Sequence, residues 1–200
     1  MGNIKIIEST SAIEKRINEA VAKQANKRLS RAARTIKSQL GPIVEGALMA
    51  SPEIGSLSSG TLRAEFGLES DPSSQIVDAI VGSLDVHFRR IDRNLNGGLT
   101  IVMQPSDFSN LLSLGVAEQP IKGGSIPWLS WLLKAGDSVI IANFGVELGP
   151  HGRTGKARMS KGFAPYKVNS AFSGTPDNNF ITRAMAKVAP KMLELLRREI

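Results

Sequence analysis

The sequence predicts an α+β fold: a small antiparallel or mixed β-sheet flanked by a long N-terminal helix and a C-terminal helix. Three observations carry this. Ile13, Ile17, Val21, Ala25, Leu29, Ala32, Ile36 and Leu40 recur at helical spacing over about 11–40. Phe180, Ile181, Ala184, Val188, Met192, Leu195 and Leu196 form a second such face near the C-terminus. Between them lie short β-rich runs broken by Gly- and Asn-rich turns.

Ser11 and Glu14 have the spacing of a capping box for the first helix, which Gly41-Pro42 should interrupt. A short helix over 42–50 and a Ser/Gly/Pro-rich loop, SPEIGSLSSG, are expected next. Residues 61–68 read as a strand and 73–84 as a helix, with Ile76, Val77, Ile80 and Val81 on one side. Two strands follow, over 85–91 and 99–103, joined by a turn at Asn94–Gly98. A short helix over 107–114, capped by Ser106, precedes a loop, EQPIKGGS. Pro127–Lys134 should be helical and stop at Gly136. Ser138–Phe144 is the clearest strand signal, with a further short strand near Ala157–Met159. Thr175, Pro176 and Asp177 read as cap and first turn of the last helix, which Pro190 should kink. A chain of 200 residues without repeats fits one domain, 1–200.

Composition narrows the function classes. No apolar run approaches the roughly 20 residues of a membrane helix; no membrane association is expected. The N-terminus lacks the apolar core of an export signal and the Ser or Thr of a myristoylation site. The absence of cysteine excludes disulfides, thiolate zinc sites and thiol catalysis. The net charge of +7 is concentrated in two segments. Residues 12–40 hold eight basic residues against Glu14 and Glu19, and 151–169 hold Arg153, Lys156, Arg158, Lys161 and Lys167 with no acid. Arg16, Lys23, Lys27, Arg31 and Arg34 form a stripe nearly opposite the apolar face of the first helix. It is either a solvated surface or a docking surface for something acidic.

The stretch GPHGRTGKA (149–157) invites comparison with a phosphate-binding loop. The spacing from Gly149 to Gly155-Lys156 is one residue too long, and Ala157 stands where a magnesium-binding hydroxyl belongs. Gly162 and Pro165 also forbid the helix that such a loop must feed. What remains is an exposed hairpin loop or a simple anion site. His87 and His151 are remote from each other, no zinc-binding spacing occurs, and the acids are dispersed. Ser56–Gly60 misses the nucleophile elbow because Ser56 replaces its first glycine. These readings predict a non-enzyme without cofactor or metal. Aromatic residues, 5% of the chain, do not alternate with the basic ones, which argues against base-specific nucleic-acid recognition.

Three stretches, in this order, resemble neck and tail-completion proteins of tailed bacteriophages: Ile126–Gly136 (IPWLSWLLKAG), Gly152–Met159 (GRTGKARM) and Phe172–Ala184 (FSGTPDNNFITRA). Upstream, Ser59-Gly60-Thr61-Leu62-Arg63 is similar to the Thr-Gly-x-Leu-Arg element of the minor tail-component group, with Ser59 for its threonine. Phe163 and Phe180 stand where the pattern has bulkier aromatics. The resemblance implies a structural virion protein that forms a homo-oligomeric ring, hexamer or dodecamer, between the portal or connector and the tail-terminator or tail-tube proteins. Genomic DNA passes through its lumen without sequence-specific binding. On this reading Trp128, Trp131, Phe172, Asn179 and Phe180, with Arg153, Lys156 and Arg158, are interface candidates. Trp128 and Trp131 are equally readable as core. The alternative is a non-specific DNA-binding or packaging-associated protein that uses the basic helix stripe.

Overall fold

Ser9, two residues before the expected cap, starts the first helix: its carbonyl accepts from the N–H of Ala12 (3.0 Å) and Ile13 (3.1 Å), and its Oγ from Ala12 (3.3 Å). The computed structural model describes residues 9–162 and 164–200. The N-terminal export and myristoylation readings and Phe163 lie outside them. The elements are α1 (Thr10–Met49), α2 (Pro52–Ser59), α3 (Thr61–Glu65), α4 (Ser73–Gly82), β1 (Asp85–Arg89), β2 (Gly98–Val102), α5 (Ser109–Leu112), β3 (Gln119–Ile121), β4 (Gly124–Ile126), α6 (Trp128–Lys134), β5 (Phe144–Leu148), β6 (Ala157–Lys161) and α7 (Phe180–Glu199). A 3₁₀ turn spans Gly115–Ala117. The fold is α+β, with three separate two-stranded antiparallel sheets among the described residues instead of one. No described helix is long and apolar enough to cross a membrane.

Gly41-Pro42 does not end α1, and the short helix expected over 42–50 is its continuation. Leu40, Val44 and Leu48 are buried at intervals of four, while Pro42 lies on the exposed side. Burial of that face outweighs the roughly 3 kcal/mol of an interior proline. Pro190 is likewise inside α7. The chain divides into two compact units, with boundaries inside the two long helices at Leu40/Gly41 and Ala189/Pro190 and on either side of the β1–β2 hairpin at Leu84/Asp85 and Val102/Met103.

The first unit holds α1 up to Leu40, the β1–β2 hairpin and the last turns of α7. The hairpin register runs from Asp85↔Val102 to Arg89↔Gly98. Its loop is longer than the expected turn: the Asp92 carboxylate accepts from the N–H of Asn94 and Asn96. Gly97 is obligatory there, because at φ +146° a Cβ would sit 2.6 Å from the Arg90 carbonyl. The amide of Asn26 ties the hairpin to α1 through both polar groups of Ile91, at 2.8 and 2.7 Å. Buried apolar side chains are few: Ala22, Ala32, Ile36, Leu40 and Met192. No residue of β1 or β2 is fully buried.

The second unit has the larger core. SPEIGSLSSG is helical, not a loop. Ser51 caps α2 (Ile54 N–H to Oγ, 3.4 Å), Pro52 opens it, Glu53 meets the helix dipole, and Ile54 and Leu57 are buried. Residues 61–65 are helix α3, not strand, because Leu62 and Phe66, four apart, both bury. EQPIKGGS contributes the β3–β4 hairpin instead of a loop. Ser138–Phe144 forms only the bridge Ile141↔Tyr166 before β5 begins. Asp107, not Ser106, caps the turn before α5, accepting from Ser109 N–H at 3.0 Å.

Asn179, fully buried, caps α7 in place of Thr175. Its Oδ1 accepts from Ile181 and Thr182 N–H (both 3.1 Å), and its Nδ2 donates to the Thr175 carbonyl (2.9 Å). Gly174 permits this: a Cβ there would lie 2.5 Å from the Asn179 Cβ and 2.9 Å from the Leu132 carbonyl. Gly174→Ala is therefore expected to cost about 2 kcal/mol, roughly 6 °C in Tm. Gly46→Ala, in open space on α1, is expected to stabilise by about 0.5–1 kcal/mol. Thermal melts of the two variants check the contrast.

Candidate interaction surface

The basic loop connects β5 to β6, which pair from Phe144↔Lys161 to Leu148↔Ala157. Lys156 is followed by a strand, not by a helix N-terminus. The loop folds on itself: Gly149 N–H donates to the Lys156 carbonyl (2.9 Å) and Gly155 N–H to the Gly152 carbonyl (3.2 Å). At Gly152, φ +74°, a Cβ would lie 2.0 Å from the Ala157 carbonyl, so only glycine fits. The glycines that suggested a phosphate loop serve the hairpin turn.

The cations of this loop differ in their engagement. Arg153 pairs with Glu69 and donates to the Gly67 carbonyl at 2.9 Å. Arg158 pairs with Glu147 at 2.6 Å, and that bond holds the Glu147 carboxyl below the usual carboxylate range. Lys156 is exposed and forms no ion pair among the described residues. Arg153 and Arg158 stand beside a cleft of about 240 Å³ whose apolar wall includes Phe66, Ile121, Ile126, Val146 and Met159. The wall is built by the end of α3 and the two hairpins β3–β4 and β5–β6. Ile121 and Met159 are exposed at 47% and 41%.

Glu65 also lines this cleft. It is half-buried, has no hydrogen bond or ion pair among the described residues, and burial raises its pKa above the ordinary carboxylate value. Beyond it stands Tyr166, 5% exposed, whose hydroxyl has no hydrogen-bond partner among the described residues. Burial, and then the charge of Glu65, push the phenol above its ordinary pKa. The half-buried Glu65 carboxylate and the buried Tyr166 hydroxyl therefore both lack hydrogen-bond partners among the described residues.

Trp128 is fully buried: its ring lies 5.5 Å from that of Phe66, and its Nε1 donates to the Val116 carbonyl at 2.8 Å. It backs the cleft and is not presented at the surface. Trp131, half-buried, packs 6.2 Å from the Tyr166 ring. Asn179 and Phe180 are buried at the start of α7, and Phe172 is half-buried. The basic stripe of Arg16, Lys23, Lys27, Arg31 and Arg34 is exposed along α1. Lys23, Lys27, Arg31 and Arg34 form no ion pair among the described residues. Among the described residues no three His, Cys, Asp or Glu side chains gather as a metal site would need. Sequence reasoning missed Glu65, Tyr166, Ile121 and Met159; the one available signal was that Tyr166 is the sole tyrosine.

A carboxyl whose pKa rises on folding contributes stability below the ordinary carboxylate range and loses it as pH rises through the folded value. Glu65→Gln is therefore expected to be more stable than the parent at pH 7, with the difference shrinking toward about pH 4. Tyr166→Phe is expected to be neutral or stabilising in dilute solution. A hydrogen-bonded buried hydroxyl would instead cost about 1 kcal/mol on removal. Urea midpoints at the two pH values check both.

No protein-family model matches the chain, and no curated protein or solved structure matches it.

Proposed function

We propose that this chain is a structural virion protein of a tailed phage, a non-catalytic ring-forming component of the neck that joins the portal or connector to the tail. The observation that carries this reading is the ordered resemblance of the stretches within residues 126–184. Two features of the molecule support it. The first unit has a small interior, with the apolar side chains Ile13, Ile17 and Val21 left 37%, 55% and 48% exposed. The second unit presents an apolar cleft beside its basic hairpin. Such surfaces suit a subunit completed by its neighbours. In this role the protein resides in the virion.

A second reading has one observation in its favour: the α1 cations Lys23, Lys27, Arg31 and Arg34 are exposed without ion pairs among the described residues. Duplex DNA would meet such a stripe through its phosphates, with steep salt dependence. Firm attachment would retard DNA that must slide, so docking to protein is the preferred role for these charges.

Light scattering of the purified protein is expected to give a multiple of the 21.4 kDa subunit, and negative-stain images an annulus. A strict monomer that shifts duplex DNA at low salt would replace this reading with the second. Lys156→Glu is expected to impair tail attachment in complementation while leaving the melting temperature unchanged. Arg153 and Arg158 are less clean probes, since their reversal also breaks pairs within the subunit.

A further inference from the structure

Two surfaces of this chain, exposed among the described residues, complement each other. The first is the opening three turns of α1. Ile13, Ile17 and Val21 stand four apart on one face, all exposed, while Lys23 and Lys27 of the basic stripe lie roughly 120° and 80° round the helix from Ile17, an arc that a long lysine side chain can span. A 40-residue helix that places its first apolar stripe in solvent is built to have it covered. The second surface is the cleft walled by Phe66, Ile121, Ile126, Val146 and Met159, with Glu65 in its lining. Its apolar wall fits a branched aliphatic side chain. Its half-buried carboxylate fits a cation that arrives with that side chain and bridges to it from the helix edge. Charge complementarity therefore selects an apolar helix with basic flanks, and this chain carries one.

We propose that the cleft beside the basic hairpin receives the α1 segment Ile13–Lys27 of a second copy, with Ile17 at its centre and a bordering cation on Glu65. The inference rests on the ring reading and names its subunit contact. The two surfaces are different, so the contact is heterologous: each copy offers a helix to one neighbour and a cleft to the other. Repetition of that contact makes a closed ring when the rotation between copies closes. The incoming cation neutralises Glu65, and the covered cleft removes Ile121 and Met159 from water. Arg153 and Arg158, held by Glu69 and Glu147, leave Glu65 the uncompensated charge of the site.

The absence of cysteine gives a clean test. Ile17→Cys and Met159→Cys are made separately, one carrying a mass tag, then mixed and oxidised. Both positions are exposed, so both variants are expected to fold. The expected result is a mixed disulfide between the two variants, in excess over either same-variant dimer. In parallel, Ile17→Asp and Ile121→Asp are each expected to weaken assembly by roughly tenfold or more, read as oligomer mass against concentration, with unchanged helical circular dichroism. Assembly that proceeds without the mixed disulfide and is indifferent to both substitutions overturns this contact while the ring reading stands. A protein that stays monomeric at every concentration overturns both.

Discussion

The second unit depends on the burial of one short helix, α6. Trp128, Leu129, Leu132 and Leu133 are all fully buried, so the helix is enclosed on nearly every side. Each of its neighbours is then fixed by a specific contact. The indole N–H holds the 3₁₀ turn through Val116, and the indole ring holds Phe66 at the end of α3. The Leu132 carbonyl lies so close to Gly174 that no side chain fits there. Gly136, at φ +54°, turns the chain out of the helix, and its N–H returns to the Gly174 carbonyl at 2.9 Å. The entry to α7 and one wall of the cleft are thus positioned by the same seven residues. A large aromatic in this place is worth several kcal/mol of burial. It also transmits that rigidity to a surface it never reaches.

The cap of α7 shows the same economy. Asn179 is fully buried, yet each of its polar groups is satisfied, two by helix N–H groups and the amide by the turn it closes. Nearby, Glu53 is 2% exposed and meets Arg183 at 2.5 Å. That pair ties the first turn of α2 to the first turn of α7, where a negative charge is favoured by both helix ends. A buried carboxylate of this kind is tolerated because it is paired. Glu65 is the contrast within the same unit: half-buried, and without an ion pair among the described residues.

Legibility in the sequence followed the range of the forces involved. Apolar periodicity is repeated over many residues, so the two long helices and α4 were readable, as was the α6 stop at Gly136. Local signals were misread where short elements depend on contacts. Ser51-Pro52-Glu53 is a sound helix start, yet the serines and glycines after it argued for a loop until Ile54 and Leu57 found burial. Ser138–Phe144 has strand propensity, but Tyr166 supplies only a bridge and the ladder never extends. The loop glycines, whose spacing departs from that of a phosphate loop, serve the turn between β5 and β6. The cleft was not readable, because Glu65, Ile121, Met159 and Tyr166 come from four segments and owe their character to burial. Trp128 was open between core and interface, and its burial settles its own position while giving the interface question to the surface it supports.

The distribution of charge bears on what the α1 cations can do. Around the basic hairpin, the chain's own acids hold Arg153 and Arg158, so that region offers a polyanion less charge than its sequence implies. On α1, Lys23, Lys27, Arg31 and Arg34 form no ion pair among the described residues. In the proposed contact, a helix that buries Ile13, Ile17 and Val21 in a neighbour would bring Lys23 or Lys27 toward the Glu65 carboxylate and partly withdraw it from water. A cation so paired loses most of its attraction for distant phosphate, because opposite charges offset one another and the Debye length at physiological salt is only about 8 Å. Arg31 and Arg34, one to two turns further on, remain outside the contact. In the proposed ring, subunit docking and the passage of DNA would be served by one arrangement: the apolar side of the helix would supply the affinity, and Glu65 would offset one cation beside it.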